Sequence, residues 1–259
     1  MLPLAGRCIV TTRPAGQATS LLGALQALGA EAINFPVIDI LPADPEPLRQ
    51  LDLTRFALAF FVSPNAVEQA CAIRPQSDWP SSLQVSTVGP GSARVLREQG
   101  WSQVIAPENG FDSEAVLALP EFSADSLAGR QVLLVRGEGG RELLADTLRA
   151  RGAVLEQVSV YRRACARLDP APLFRRFRAG ELDALVFSAS EGLRFFLQIA
   201  GECAQELLQA LPCVAPHPRI AEALREAGAR EIWLSEAGDA GIAAGLAARL
   251  SAPGAAPSV

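Results

Sequence analysis

IVTTRPAGQATSLLGALQALGAEAINFPVI, residues 9–38, returns as VLLVRGEGGRELLADTLRARGAVLEQVSVY, residues 132–161. Arg13 aligns with Arg136, Gly29 with Gly152 and Ile38 with Tyr161, each at an offset of 123. Working outward, FFVSPNAV around Ser63 aligns with LVFSASEG around Ser188 at an offset of 125. STVGPGSARVLREQGWSQVIAP (86–107) aligns with CVAPHPRIAEALREAGAREIWLS (213–235), where Leu96 meets Leu224 and Gly100 meets Gly228 at 128. Gly110 and Gly238 close the series at the same offset, and a few loop insertions account for the drift. A period of about half the chain is a two-fold pseudo-repeat rather than a solenoid. Two similar units that face each other would form a cleft, a favoured place for a ligand.

Inside each half the pattern is a short β-branched run, a polar or glycine turn, then a helix with apolar residues at i, i+3 and i+4. RCIVTTR precedes a helix bearing Leu21, Leu22, Leu25 and Leu28, which Gly29 stops in a left-handed conformation. EAINFPVIDI is a second extended run. ALAFFV leads to Ser63-Pro64, with Ser as N-cap and Pro in the first turn. QVSTVG precedes a helix over Ser92–Gln99, and SQVIAP one that starts near Asp112. The second half repeats the order: QVLLVR, a helix over Arg141–Arg151, EQVSVYR, DALVFS, a helix from Ser188 with Glu191 completing a capping box, LPCVAP, a helix over Arg219–Ala227, and EIWLS. Alternating βα units predict an α/β fold of two similar, doubly wound parallel-sheet domains. The Pro- and Gly-rich tail, residues 251–259, is expected to be disordered.

The 259 residues suffice for two domains, and 49 % hydrophobic with 20 % charged residues describes a chain with real cores. No apolar run reaches the roughly 18 residues of a membrane helix, and MLPLAGRC lacks a signal-peptide layout. A soluble, cytoplasmic protein is expected, with no membrane partner. A net charge of −5 argues against nonspecific nucleic-acid binding. The five cysteines show no CxxC spacing and read as apolar fillers, not as a disulfide frame or a metal site. Every basic residue other than His217 is arginine. Without lysine there is no Schiff base and no P-loop, which excludes pyridoxal-phosphate and Walker-type chemistry.

Parallel sheets bind ligands beyond the carboxyl ends of their strands. Those ends carry Arg13-Pro14, Ser63-Pro64-Asn65, Gly89-Pro90-Gly91-Ser92, Arg136 to Arg141, Ser188-Ala189-Ser190 and Pro216-His217-Pro218-Arg219. Small residues, hydroxyls and arginines at helix N-termini suit anions. Ser63 and Ser188 read as helix caps rather than nucleophiles, since neither has a neighbouring base. VRGEGGRE resembles a phosphate cradle but is not GxGxxG, and no GxGxxG follows the first strand, so a dinucleotide site is not indicated. The arginine runs Arg162-Arg163 and Arg175-Arg176-Arg178 read as solvated faces.

The order TTRP, FVSPNAV, VGPGSARVL, the Gly110–Glu114 run, VYRR, DALVFSASEG and HPRIAEAL resembles the uroporphyrinogen-III synthase family, from about Arg7 to Leu250. The resemblance implies two α/β domains joined by a two-stranded linker, with the active site in the cleft between them. One domain would comprise 1–36 plus 166–259 and the other 39–163, with EAINFPVIDI and EQVSVYRR as the crossing strands. The implied substrate is hydroxymethylbilane, a linear tetrapyrrole with eight carboxylates. Ring A loses its hydroxyl to give an azafulvene, ring D attacks through its substituted carbon to a spiro intermediate, and reclosure leaves ring D inverted in uroporphyrinogen III. Unaided, the bilane closes to the I isomer, so the task is one of orientation.

The resemblance also implies that no metal or organic cofactor is needed. It makes Tyr161, the chain's single tyrosine, the expected catalytic residue, since a phenol keeps its proton near neutral pH and can donate it to the departing hydroxyl. Arg13, Ser63, Asn65, Gly89, Ser92, Arg141, Ser188, Ser190 and Arg219 are the expected substrate-binding residues. Arg219-Ile220 stands where many family members carry a hydroxyl pair, so amide donors or Arg219 itself would serve there. The expected protein is a monomer in at most transient contact with the preceding pathway enzyme. A non-catalytic two-domain anion-binding or sensor protein is the alternative, because it too would place donors around a hinge.

Overall fold

Strand residues in this chain are buried on alternating faces. Val132 and Leu134 enter one apolar cluster and Leu133 and Val135 another. Leu58 and Phe60 divide from Ala59 and Phe61 in the same way. A period of two with both sets apolar is the signature of a sheet covered by helices on both sides. The computed structural model, which describes residues 2–110, 112–139 and 142–251, places these runs in two such sheets.

The strands are β1 (Cys8–Thr11), β2 (Glu31–Asn34), β3 (Ile38–Pro42), β4 (Leu58–Phe61), β5 (Gln84–Thr87), β6 (Gln131–Gly137), β7 (Val154–Cys165), β8 (Ala184–Val186), β9 (Cys213–Ala215) and β10 (Ile232–Leu234). The helices are α1 (Thr19–Ala27), α2 (Glu46–Arg49), α3 (Pro64–Ile73), α4 (Pro90–Glu98), α5 (Ser113–Leu117), α6 (Ala124–Leu127), α7 (Leu143–Ala150), α8 (Ala171–Arg178), α9 (Ser190–Ala200), α10 (Cys203–Ala210), α11 (Pro218–Glu226) and α12 (Gly238–Leu250). One sheet has the order β10-β9-β8-β1-β2 and the other β3-β7-β6-β4-β5. β1 pairs in parallel with β2 and β8, and β9 with β8 and β10. β4 pairs in parallel with β5 and β6, and β6 with β7.

The chain forms two compact units, one running up to Asp39 and resuming at Ala164, the other comprising Ile40–Arg163. The changeovers fall inside β3 and β7. β1, which opens the first repeat, therefore shares a sheet with β8, β9 and β10 of the second. β6, which opens the second repeat, shares a sheet with β4 and β5 of the first. In the discontinuous unit, Leu21 and Leu25 of α1 and Ile242 and Leu246 of α12 cover Ile9, Val186 and Val214. In the continuous unit, α3 and α4 pack one sheet face through Ala66, Val67, Ala70, Val95 and Leu96, with Trp79 and Trp101. The opposite face takes Val116, Phe122, Leu127, Leu144 and Leu148.

EAINFPVIDI was expected as one extended run and is two strands, β2 and β3, separated at Phe35-Pro36-Val37. Pro36 lacks the N–H a central ladder position needs, and each piece joins a different sheet. SQVIAP forms only an isolated bridge, Ile105 to Ser86, before Pro107 ends the pairing. The helix expected over Arg141–Arg151 runs Leu143–Ala150. Of the tail expected to be disordered, 252–259 lies outside the described residues. Ser251 instead closes α12, with its Oγ donating to the Pro3 carbonyl at 2.9 Å.

These topologies fix where a ligand can sit. From β1 the chain winds outward to β2, and from β8 in the opposite direction to β9 and β10. The equivalent reversal in the other unit lies between β4 and β6. Crevices open at such reversals, beyond the carboxyl ends of the two central strands. Arg13 and Ser188 follow β1 and β8; Ser63 and Gly137 stand at the ends of β4 and β6.

Candidate functional site

In the continuous unit the switch point is built around Tyr161. The register of β6 on β7 slips after Arg136, so that Gly137 stands opposite Tyr161. The Glu138 N–H donates to the Tyr161 carbonyl at 2.8 Å and holds that bulge. The side chain is 1 % exposed. Its Oη lies 3.1 Å from Ser63 Oγ and accepts a hydrogen bond from Arg163 Nη2, also at 3.1 Å. The Arg163 guanidinium sits 5.5 Å from the centroid of the phenol ring. A Cβ built on Gly137 would lie 2.6 Å from two atoms of that ring, so the ring occupies the space another residue's side chain would need.

Ser63 is held by the start of α3. Its backbone is extended, Pro64 occupies the first turn, and its Oγ accepts the Ala66 N–H at 3.2 Å. Asn65, 7 % exposed, and Ser92, 5 % exposed, lie in the first turns of α3 and α4. Gly89 is the N-cap of α4 in a fully extended conformation. Arg136 is 8 % exposed and spends its guanidinium inside the unit, on Glu142 Oε1 and Gln157 Oε1 at 2.7 Å each and on the Gly139 carbonyl at 2.5 Å. Arg141 lies outside the described residues.

The discontinuous unit presents a second constellation. Arg13 Nε donates to Ser188 Oγ at 2.9 Å, and its Nη1 meets Asp239 Oδ1 at 2.5 Å. Arg13, one of the expected substrate-binding residues, thus pairs with Asp239 at the start of α12. Ser188 is not the cap that the Ser188–Glu191 pattern suggested. α9 starts two residues later with Ala189 as N-cap, because Ser188 Oγ serves Arg13 instead. Ser190, in the first turn of α9, has a buried Oγ with no hydrogen-bond partner. Arg219 is exposed, and its N–H donates to His217 Nδ1 at 3.1 Å, which makes the single histidine the N-cap of α11.

The structure thus brings Tyr161 and Ser63 together in one unit, with Asn65 in the first turn of the helix that Ser63 caps, and Arg13 and Ser188 together in the other. Sequence reading took Arg163 for a solvated face, gave Gly137 no role of its own within the strand-end run, and did not single out Asp239. Arg163 was legible: residues i and i+2 of a strand share a face, so VYRR places it beside Tyr161. Asp239 carried no such signal. Among the described residues no group of three or more His, Cys, Asp or Glu is placed to hold a metal ion, and no helix is long and apolar enough to cross a membrane.

Two doubly wound parallel sheets with hydroxyls and helix N-termini at their switch points define a two-unit α/β protein. The family profile described as uroporphyrinogen-III synthase HemD matches residues 19–241. Uroporphyrinogen-III synthase of Escherichia coli (strain K12) is 31 % identical over 238 residues, which covers 89 % of this chain and 96 % of that one. The Salmonella typhimurium enzyme of the same name is 32 % identical over 238 residues, with the same coverage of 89 % and 96 %. In fold, the chain resembles the uroporphyrinogen-III synthetase of Helicobacter pylori, with a TM-score of 0.61 at 18 % identity over 94 % of this chain and 100 % of that one. The chain belongs to the uroporphyrinogen-III synthase family.

Proposed function

We infer that this chain carries out the reaction of its family: cyclisation of hydroxymethylbilane to uroporphyrinogen III with inversion of ring D, a lyase step of tetrapyrrole and haem biosynthesis. The family match across residues 19–241 carries this reading. The alternative of a non-catalytic anion-binding protein has no comparable support.

The chemistry asks little of the protein beyond orientation and one well-placed proton. Tyr161 supplies that proton as the ring-A hydroxyl departs. Asn65, Gly89, Ser92, Ser188, Ser190 and Arg219 offer side-chain and N-terminal amide donors to the substrate carboxylates, and Ser63 stands beside Tyr161 where the hydroxyl departs. Arg13 acts on the substrate through Ser188, which it holds away from the cap position. Arg141 remains a candidate on sequence grounds.

The test is a coupled assay in which purified protein meets freshly generated hydroxymethylbilane and the oxidised porphyrin isomers are separated. Predominantly isomer III is expected. Only isomer I from well-folded protein would sink the assignment.

A further inference from the structure

We infer that Tyr161 reaches the substrate through Ser63, as the inner member of a two-hydroxyl proton relay. This rests on the synthase reading and on Tyr161 as the proton source, and it specifies which oxygen the substrate meets. Tyr161 is 1 % exposed, whereas Ser63, which its Oη touches just beyond β4, is partly exposed. The Tyr161 oxygen has two named neighbours, Arg163 Nη2 and Ser63 Oγ, each at 3.1 Å. Arginine is always protonated and only donates, so the phenol proton is not directed at Arg163. It is directed at Ser63 Oγ, since a phenol gives up its proton far more readily than an alkyl alcohol. Ser63 Oγ then accepts twice, from Tyr161 and from the Ala66 N–H, and its own proton points outward.

The step balances within the substrate. The C–O bond of the hydroxymethyl group breaks as the departing oxygen takes the Ser63 proton and leaves as water. Ser63 Oγ takes the Tyr161 proton in the same event. The ring-A nitrogen supplies the electron pair that forms the azafulvene; the proton lost from that nitrogen passes to Ser63 Oγ, which hands its own back to Tyr161 along the same hydrogen bond. Arg163 stands beside the oxygen where negative charge builds, which is where a fixed cation lowers the barrier. Neither an oxidant nor a reductant is required.

The test compares Tyr161→Phe, Ser63→Gly, Ser63→Thr and the double variant Ser63→Gly/Tyr161→Phe in the full chain. Glycine is chosen at residue 63 because it caps helices nearly as well as serine while removing the hydroxyl. The relay expects each single variant to lose turnover by a similar factor, roughly 100-fold. The double variant should be no slower than the worse single, and Ser63→Thr should recover turnover relative to Ser63→Gly. Rates in H₂O/D₂O mixtures should curve for the parent, because two protons move, while Ser63→Thr keeps that curvature. Normal turnover in Ser63→Gly with a slow Tyr161→Phe would overturn the relay and leave Tyr161 a direct donor. Multiplying losses in the double variant would also overturn it. Normal turnover in Tyr161→Phe would instead remove Tyr161 itself, and with it the relay.

Discussion

The phenol ring of Tyr161 fills the space in front of Gly137: a Cβ at residue 137 would lie 2.6 Å from two ring atoms and 3.0 Å from a third. Gly137 does not adopt a left-handed conformation, so its requirement is one of space. Gly137→Ala should therefore push the ring aside at a cost of about 1–3 kcal/mol, the usual range for overpacking. Displacing a reacting group by about 1 Å costs turnover roughly 100-fold. A urea titration and the isomer assay read both effects. Parent-like values in both would show that the ring has room to yield.

Removing only the phenol oxygen separates chemistry from packing. Tyr161→Phe keeps the ring against Gly137 and gives up the bonds to Ser63 and Arg163, while Ser63 retains the Ala66 N–H. Loss of hydrogen bonding at this position should cost about 1 kcal/mol of stability. Turnover should drop far more, and isomer I should rise in the product as unaided closure overtakes the enzyme. A normal ratio of III to I would take Tyr161 out of the reaction.

The sequence made the fold legible because the strand–turn–helix unit recurs with Gly29 matching Gly152 and Gly100 matching Gly228, all four with positive φ in the structure. Exchange of the opening βα units between sheets was implied by the family resemblance, and the equivalence of EAINFPVIDI and EQVSVYRR in the repeat agrees with it. The repeat misled at the side chains. Ser63 and Ser188 align, yet one caps a helix and touches a tyrosine while the other accepts from an arginine. Arg13 and Arg136 align, yet the first is anchored by Asp239 and the second by Glu142 and Gln157. Backbone geometry follows local pattern, whereas these partners are set by contacts up to 226 residues apart. α2, α6, α8, α10 and α12 were also missed. In α8, Arg176 is not merely a solvated residue but bridges Glu31 and Glu181.

The Arg13–Asp239 pair gives a direct check on one such long-range contact. The two side chains are 16 % and 25 % exposed, so solvent screens them only in part. A charge-assisted bond in this setting should contribute about 1–2 kcal/mol. A double-mutant cycle with Arg13→Ala and Asp239→Ala, read by urea midpoint, should return a coupling of that size. Coupling near zero would mean that the pair contributes nothing to the fold. Asp239→Ala should also weaken substrate binding, because Arg13 no longer fixes Ser188 at the end of β8.

The cysteines give stability a slope on the alkaline side. Burial pushes the thiols of Cys8 and Cys71 up to about 11 and that of Cys213 up to about 12, from 9.0 in an exposed chain. Below pH 9 the three are protonated whether the chain is folded or not, and they add no slope. Above it the unfolded chain releases protons that the folded one keeps. The unfolded state then binds fewer protons, and stability falls as pH rises through that window towards 11–12. Urea midpoints at pH 8 and pH 10.5 should show this fall, and Cys71→Ala should flatten it. Cys165 and Cys203 are only partly buried, so a thiol-reactive disulfide reagent at pH 8 should find two fast thiols in the native protein. The other three should react only on unfolding, and five fast thiols would contradict the burial on which the slope depends.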